Sequence, residues 1–463
     1  MIKRFLILIV LMPLLLCAQN SSLNTLSFSE YISYVKTNHP IAKQGFLKLE
    51  EGDATITKAR GGFDPKFEGD YNFKDYKDKN YYQKLNAKFK IPTWYGVEVL
   101  AGFENNDGVF LNPENNVPRE GLFGAGVKVS LGEGLLINKR MADLKKAKAF
   151  KQQTIAEQEL ILNEVIYNAS MAYFNWLLSY KNVLVYKNVI SNAELRYNGI
   201  KKQVEVGENA EIDAVEAKVN LDNRRLQLVE AELDYAKSKL ELATFLWLET
   251  TPLELEDTTE PEHITDDIVD SILNIETINS DNVTSHPKIR ALNSKTESLL
   301  VDKKLKANKL LPTLDIQHQF ISDSYNEFDT YNNQNFKTQV NLSFPLFLRK
   351  ERGELRLAKI KLEQIDYDTQ NTSLVLTNKI KAVIFETESY ANQLTIIEEV
   401  NSGYESLLTA EERKFALGES SIFLVNSREK SLIDSQVKLN VLEFKFYTSK
   451  AKLFNSLGVL PNL

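Results

Sequence analysis

"FKTQVNLSFPLFLRKERGELRLAK" occupies Phe336 to Lys359. Its opening alternates: Phe336, Thr338, Val340, Leu342 and Phe344 fall on one side, Lys337, Gln339, Asn341 and Ser343 on the other. Period two with one apolar face predicts a half-exposed β-strand. Beyond Pro345 the period changes, and the spacing predicts a helix from about Arg349 to Leu417, broken at Gly418 and resumed from Ser421 to Leu457. A strand therefore runs almost directly into a very long helix.

The same pairing recurs upstream. Four alternating segments are predicted at 66–74, 81–91, 95–103 and 123–131, with aromatic residues such as Phe67, Tyr71, Phe73, Phe89, Phe103 and Phe123 on their apolar faces. A further strand is predicted at 313–321, beside the one at 336–344. From about Ile137 to Val206 there is no proline, and apolar or small residues recur every three or four positions (Leu144, Ala147, Ile161, Val165, Ala169, Ala172, Trp176). Such a seam marks a coiled-coil-like helix, and 70 residues give a rod of roughly 100 Å. Gly207 interrupts it before a returning stretch to about Leu248. A single compact domain has no room for such rods, so the expected architecture is elongated.

The chain reads as an internal duplication. "TNHPIAKQ" (Thr37–Gln44) is matched by "TSHPKIRA" (Thr284–Ala291), and Pro65 by Pro312, at an offset of 247 residues. The offset falls to 211 between "KRMADLKKAK" (Lys139–Lys148) and "KERGELRLAK" (Lys350–Lys359), and stays there at Gly207 and Gly418. The difference lies between Pro65 and Lys139, where the first repeat carries an additional hairpin. The expected units are a first repeat over 20–249 with four strands and a helical hairpin at 137–248, an acidic, solvated linker over 250–284 ("TTPLELEDTTEPEHITDD"), and a second repeat over 285–463 with two strands and a hairpin at 349–457.

Lys3 and Arg4, then the apolar run Phe5–Leu16 and the small residue Ala18, read as an export signal over residues 1–19. The only cysteine, Cys17, lies inside it after Leu16, where acylated cysteines follow a small residue. Without it the mature chain has neither a disulfide framework nor a thiolate metal site. A net charge of -7 argues against a nucleic-acid partner, which selects a basic patch. No later segment is long and apolar enough for a membrane helix, but a β-barrel leaves only a weak hydropathy signal. Strands of nine to eleven residues with one apolar face suit a bilayer-spanning barrel. Six are too few to close a wide barrel alone, and open edges are costly in lipid, so several chains are expected to share one.

This order of helix, His-Pro break, helix, strands, long helix, glycine break and helix resembles the TolC family of outer-membrane efflux and secretion channels, over the whole mature chain. "GENAEIDAVEAKVNL" (Gly207–Leu221) and "GESSIFLVNSREKSL" (Gly418–Leu432) resemble its tip turns, "LSFPLFLRKERGELRLAK" (Leu342–Lys359) its strand-to-helix exit, and "GGFDPKFEG" (Gly61–Gly69) its helix-to-strand entry. The resemblance implies a membrane α+β fold: a transmembrane β-barrel shared by three protomers, continuous with an antiparallel α-helical barrel in the periplasm. It implies a homotrimer held in outer-membrane lipid, with a periplasmic adaptor and an inner-membrane transporter as partners. It implies a passive exit duct of a tripartite efflux pump or type I secretion system. Simple members of the family contribute four strands each, so six here would give eighteen strands per trimer, or twelve if the additional hairpin stays outside the bilayer. Members often narrow the periplasmic entrance with acidic residues on the second tip. The matching positions are Leu424 and Ser427; their first-repeat counterparts are Asp213 and Glu216, the candidate acidic rim.

No catalytic, cofactor or metal residues are assigned. His39, His263, His286 and His318 show no metal-ligand spacing, and there is no nucleophile elbow or phosphate loop. His39 and His286, each before a proline, read as structural, and their replacement by Gln is expected to leave transport nearly intact. A periplasmic coiled-coil adaptor or scaffold is the alternative. It accounts for the rods but not for six amphipathic strands.

Overall fold

The computed structural model describes residues 25–275, 283–326 and 332–462. The signal run with Cys17, part of the loop after Ser322 and part of the linker lie outside them. Among the described residues, helices α1 (Phe28–Asn38) and α2 (Pro40–Arg60) lead to strands β1 (Lys66–Tyr76), β2 (Lys79–Pro92), β3 (Val97–Asp107) and β4 (Leu122–Gly132). Helices α3 (Lys139–Glu205), α4 (Glu211–Ala243), α5 (Asp266–Leu273) and α6 (Pro287–Asn308) follow. Strands β5 (Thr313–Ser322) and β6 (Phe336–Ser343) precede helices α7 (Arg349–Ala416) and α8 (Ile422–Leu457).

All six strands form one antiparallel sheet in the order β6-β5-β4-β3-β2-β1. The upstream hairpins are thus continuous with the downstream one through the β4–β5 pairing, which runs from Phe123 opposite Ser322 to Gly132 opposite Thr313. The register aligns the apolar residues in rows across the sheet. Phe67, Phe89, Ala101, Ala125, Phe320 and Phe336 make one such row, and Val97, Val129, Ile316 and Val340 another. Glu68, Lys88, Lys128, Gln317 and Gln339 lie on the opposite face, where Lys128 pairs with Asp315 at 3.0 Å and Lys337 with Glu104 at 2.9 Å. The outer strands β1 and β6 are exposed along their whole length, with Phe67 at 75% and Leu342 at 70%. The predicted start of the third strand at Tyr95 shifts to Val97. Gly96, at φ 71°, turns the chain there, and Thr93 bonds the Val97 carbonyl through its backbone N–H and its hydroxyl.

Helix α3, 67 residues long, extends about 100 Å away from the sheet. The largest core lies near its middle, around Tyr173, Phe174 and Trp176, and is closed by Phe28, Tyr31, Ile32, Val35, Leu242 and Phe454. Helix α1 enters it through a side-chain N-cap, in which Ser27 accepts from the Glu30 N–H at 3.1 Å.

The linker departs from expectation. Instead of a solvated run, it supplies Ile264, Val269, Ile272 and Leu273 to this core. In α5 the apolar positions 269, 272 and 273 share one face, while Asp266 and Asp270 along its border bind the buried Lys450 ammonium. Overall acidity concealed an amphipathic turn.

Both His-Pro pairs begin helices. Proline is the first helical residue, where a missing N–H costs nothing, and the histidine is the N-cap. The His39 Nδ1 accepts from Ile41 N–H at 3.3 Å, and the His286 Nδ1 accepts from Lys288 N–H at 3.1 Å. The His286 ring is buried against Gly458. Burial above all, with the Lys288, Lys379 and Arg290 charges, pushes its pKa down to about 4. In an unfolded chain it would titrate near 6.5, so the stability of this joint is complete above pH 6.5 and is lost as pH falls toward 4. The shift predicts a loss of roughly 3 kcal/mol across that window. His286→Asn keeps a capping oxygen and should flatten the acid side of the melting-temperature profile.

Candidate functional site

The ends of the two helical hairpins, far from the sheet, are built alike. Gly207 and Gly418 have φ of +81° and +79°, the left-handed region that favours glycine. Glu208 N–H bonds Gln203 O at 2.8 Å, and Glu419 N–H bonds Lys414 O at 2.9 Å, closing the same C-terminal cap twice. Nothing crowds either Cα, so Gly207→Ala or Gly418→Ala should cost about 1 kcal/mol of backbone strain. The check is faster amide exchange confined to the neighbouring turns.

The two tips pack on each other through Ile200, Ala217 and Ile422, with Tyr197, Val204, Ala214 and Phe415 around them. Asp213 and Glu216 lie in the first two turns of α4 and are half-buried. Leu424 and Ser427 lie at the equivalent turns of α8 and are exposed. Glu216 faces the second hairpin, where its Oε1 accepts from Asn426 Nδ2 at 3.4 Å.

Behind that contact is a network that draws on four helices. Arg196 of α3 donates to Asn426 at 3.2 Å and to Glu429 of α8 at 3.0 Å, and stands 3.6 Å from Glu412 of α7. Arg224 of α4 reaches Glu429 at 4.0 Å and donates to Gln227 at 3.0 Å. Arg224 and Glu429 are 4% and 3% exposed, so these charges sit in a low-dielectric seam. Sequence reading missed all three principal members. The signal was their phase: Arg224 continues the buried series Ala217, Leu221 on α4, and Glu429 continues Ile422, Val425 on α8. Opposite charges at apolar seam positions of two helices point to a buried pair.

Among the described residues no cluster of three or more His, Asp or Glu side chains could hold a metal ion, and no helix is long and apolar enough to cross a membrane.

The sequence matches no protein-family profile and no curated protein. Solved structures do resemble the fold. The open-state MtrE outer membrane channel of Neisseria gonorrhoeae aligns with a TM-score of 0.67 at 13% identity, over 93% of this chain and 88% of that one. The Vibrio cholerae outer membrane protein VceC aligns at 0.66 and 13% identity, over 93% and 95%. The Campylobacter jejuni CmeC outer membrane channel aligns at 0.63 and 16% identity, over 93% and 85%. This chain has the fold of those channels. The alignments take in the sheet and the helical hairpins alike, since they cover nearly the whole chain.

Proposed function

We propose that this protein is a TolC-like outer-membrane channel, a homotrimer that forms a passive exit duct and is served by a periplasmic adaptor and an inner-membrane transporter. The observation that carries the reading is the sheet. Its strands of eight to fourteen residues are long enough for a tilted membrane strand, one face is mainly apolar across all six, with His318 and Thr338 bonded to each other on it, and among the described residues both edges are unpaired. Three copies joined edge to edge would satisfy those edges in an eighteen-stranded barrel, with the polar face as lining. The extra hairpin then belongs to the barrel, because it lies in the middle of the sheet.

The helices support association with a neighbouring copy. On α4, Ile212, Val215, Val219, Leu226, Val229 and Leu233 follow a three-four spacing and are each more than half exposed. Such a seam is half of a coiled coil, and a neighbouring protomer would cover it. The matched offsets at Gly207 and Gly418, with the identical caps, support descent by duplication. A periplasmic adaptor would leave the apolar sheet face without a partner.

Fractionation tests the reading. The protein should resist sarkosyl extraction with the outer membrane and migrate as a heat-modifiable oligomer; recovery in the soluble periplasm would favour the adaptor. Asp213 and Glu216 are proposed to form the acidic rim at the periplasmic entrance. Replacing them together (Asp213→Asn, Glu216→Gln) should lower cation preference in planar bilayers by roughly threefold. Unchanged selectivity would remove them from the entrance.

A further inference from the structure

Where the sheet meets the helices, a cleft of about 750 Å³ opens between α2, the start of α3 and the bases of β1 to β3. That volume is typical of a small-molecule site. Its strand residues, including Lys66 and Glu98, belong to the polar face, so the cleft opens on the side that lines the closed barrel.

The charges in it are unbalanced. Lys90 is paired with Glu68, Arg140 with Glu98 at 2.7 Å and Lys146 with Asp302 at 2.5 Å. Among the described residues, Lys58, Lys66 and Lys139 have no salt bridge, against one unpaired carboxylate, Asp143. The N-terminus of α3, capped by Asn138 at 2.9 Å from Met141 N–H, adds its positive dipole end. Pro92, Ala147 and Phe150 supply an apolar wall beside these cations.

We propose that this cleft is a binding site for organic anions with an apolar body, and that its copies form a basic belt at the neck of the lumen. The anionic group is held by Lys58, Lys66 and Lys139, and the body lies against Phe150 and Pro92. The belt's role in transport rests on the channel reading above; the binding site does not. The acidic rim lies at the opposite end of the rods, far beyond the roughly 8 Å over which charge acts at physiological ionic strength. The neck therefore selects independently of the rim.

The probe is naphthalene-1,5-disulfonate, titrated calorimetrically into the detergent-solubilised full-length protein and added to the protein in planar bilayers. It should bind, reduce the open-channel current, and do both more weakly in 1 M than in 0.1 M KCl as the screening length falls from about 10 to about 3 Å. The triple variant Lys58→Gln, Lys66→Gln, Lys139→Gln should lose at least about tenfold in binding, whereas the triple arginine variant should retain it. Equal binding by the wild type and the glutamine variant, or loss in the arginine variant as well, would overturn the site. Charge-dependent binding by a protein that never conducts would uphold the site and instead sink the channel reading.

Discussion

Gly126→Ala should separate the two halves of the sheet, while Gly124→Ala should be nearly silent. A Cβ at Gly126 would lie 2.0 Å from the His318 carbonyl oxygen and 2.5 Å from the Gln319 Cα, both backbone atoms of β5. Neither can move without lengthening the β4–β5 pairing, among the described residues the only seam joining the upstream strands to the downstream pair. At Gly124 the nearest atoms are 3.8 Å away, an ordinary contact. Overpacking of this kind costs about 3 kcal/mol, and here the cost falls on a seam that barrel closure requires. Heat-modifiable oligomer should vanish for Gly126→Ala and persist for Gly124→Ala. Equal assembly of the two would show that β4 and β5 are not paired in this register.

Glu429→Ala should have the second large effect, at the other end of the molecule. It leaves the Arg196 and Arg224 guanidiniums without their shared carboxylate in a buried seam. Breaking a buried pair from one side costs about 3–5 kcal/mol. The loss should be local, because the main core around Trp176 lies roughly 30 Å or more along the rod. Amide exchange in the last turns before Gly207 and Gly418 should accelerate at least about a hundredfold, with the helices around Trp176 unchanged. A channel carrying the variant should conduct more, since this network ties the two hairpin tips together. Unaltered tip exchange would mean that packing of Ile200, Ala217 and Ile422 alone holds them.

Backbone periodicity made most of the fold legible. Alternation located the six strands to within two residues at every end but one, the third running four residues past its expected end to Asp107, and the three-four spacing located the rods, because each pattern is sustained over many residues. Short elements were harder. In 250–284 acidic residues are as numerous as apolar ones, ten of each, yet Val269, Ile272 and Leu273 of α5 reach the core. His39 and His286 were recognised as structural, but capping by an imidazole is a matter of side-chain geometry that spacing does not encode. Gly124 and Gly126 lie on the same face of β4; only the distance to β5 separates them. At the candidate entrance, matched glycines pointed to the tips, while Asp213 and Glu216 came only with the family resemblance. The Arg196–Glu429–Arg224 network lay hidden because its members are distant in sequence and meet only when four helices pack.

Single-channel recording on the purified full-length protein in planar bilayers tests the central claim most directly. Discrete, ohmic current steps from the assembled oligomer are expected, larger for Glu429→Ala than for wild type. Oligomer that inserts into lipid yet passes no current at any voltage, in either form, would contradict the channel.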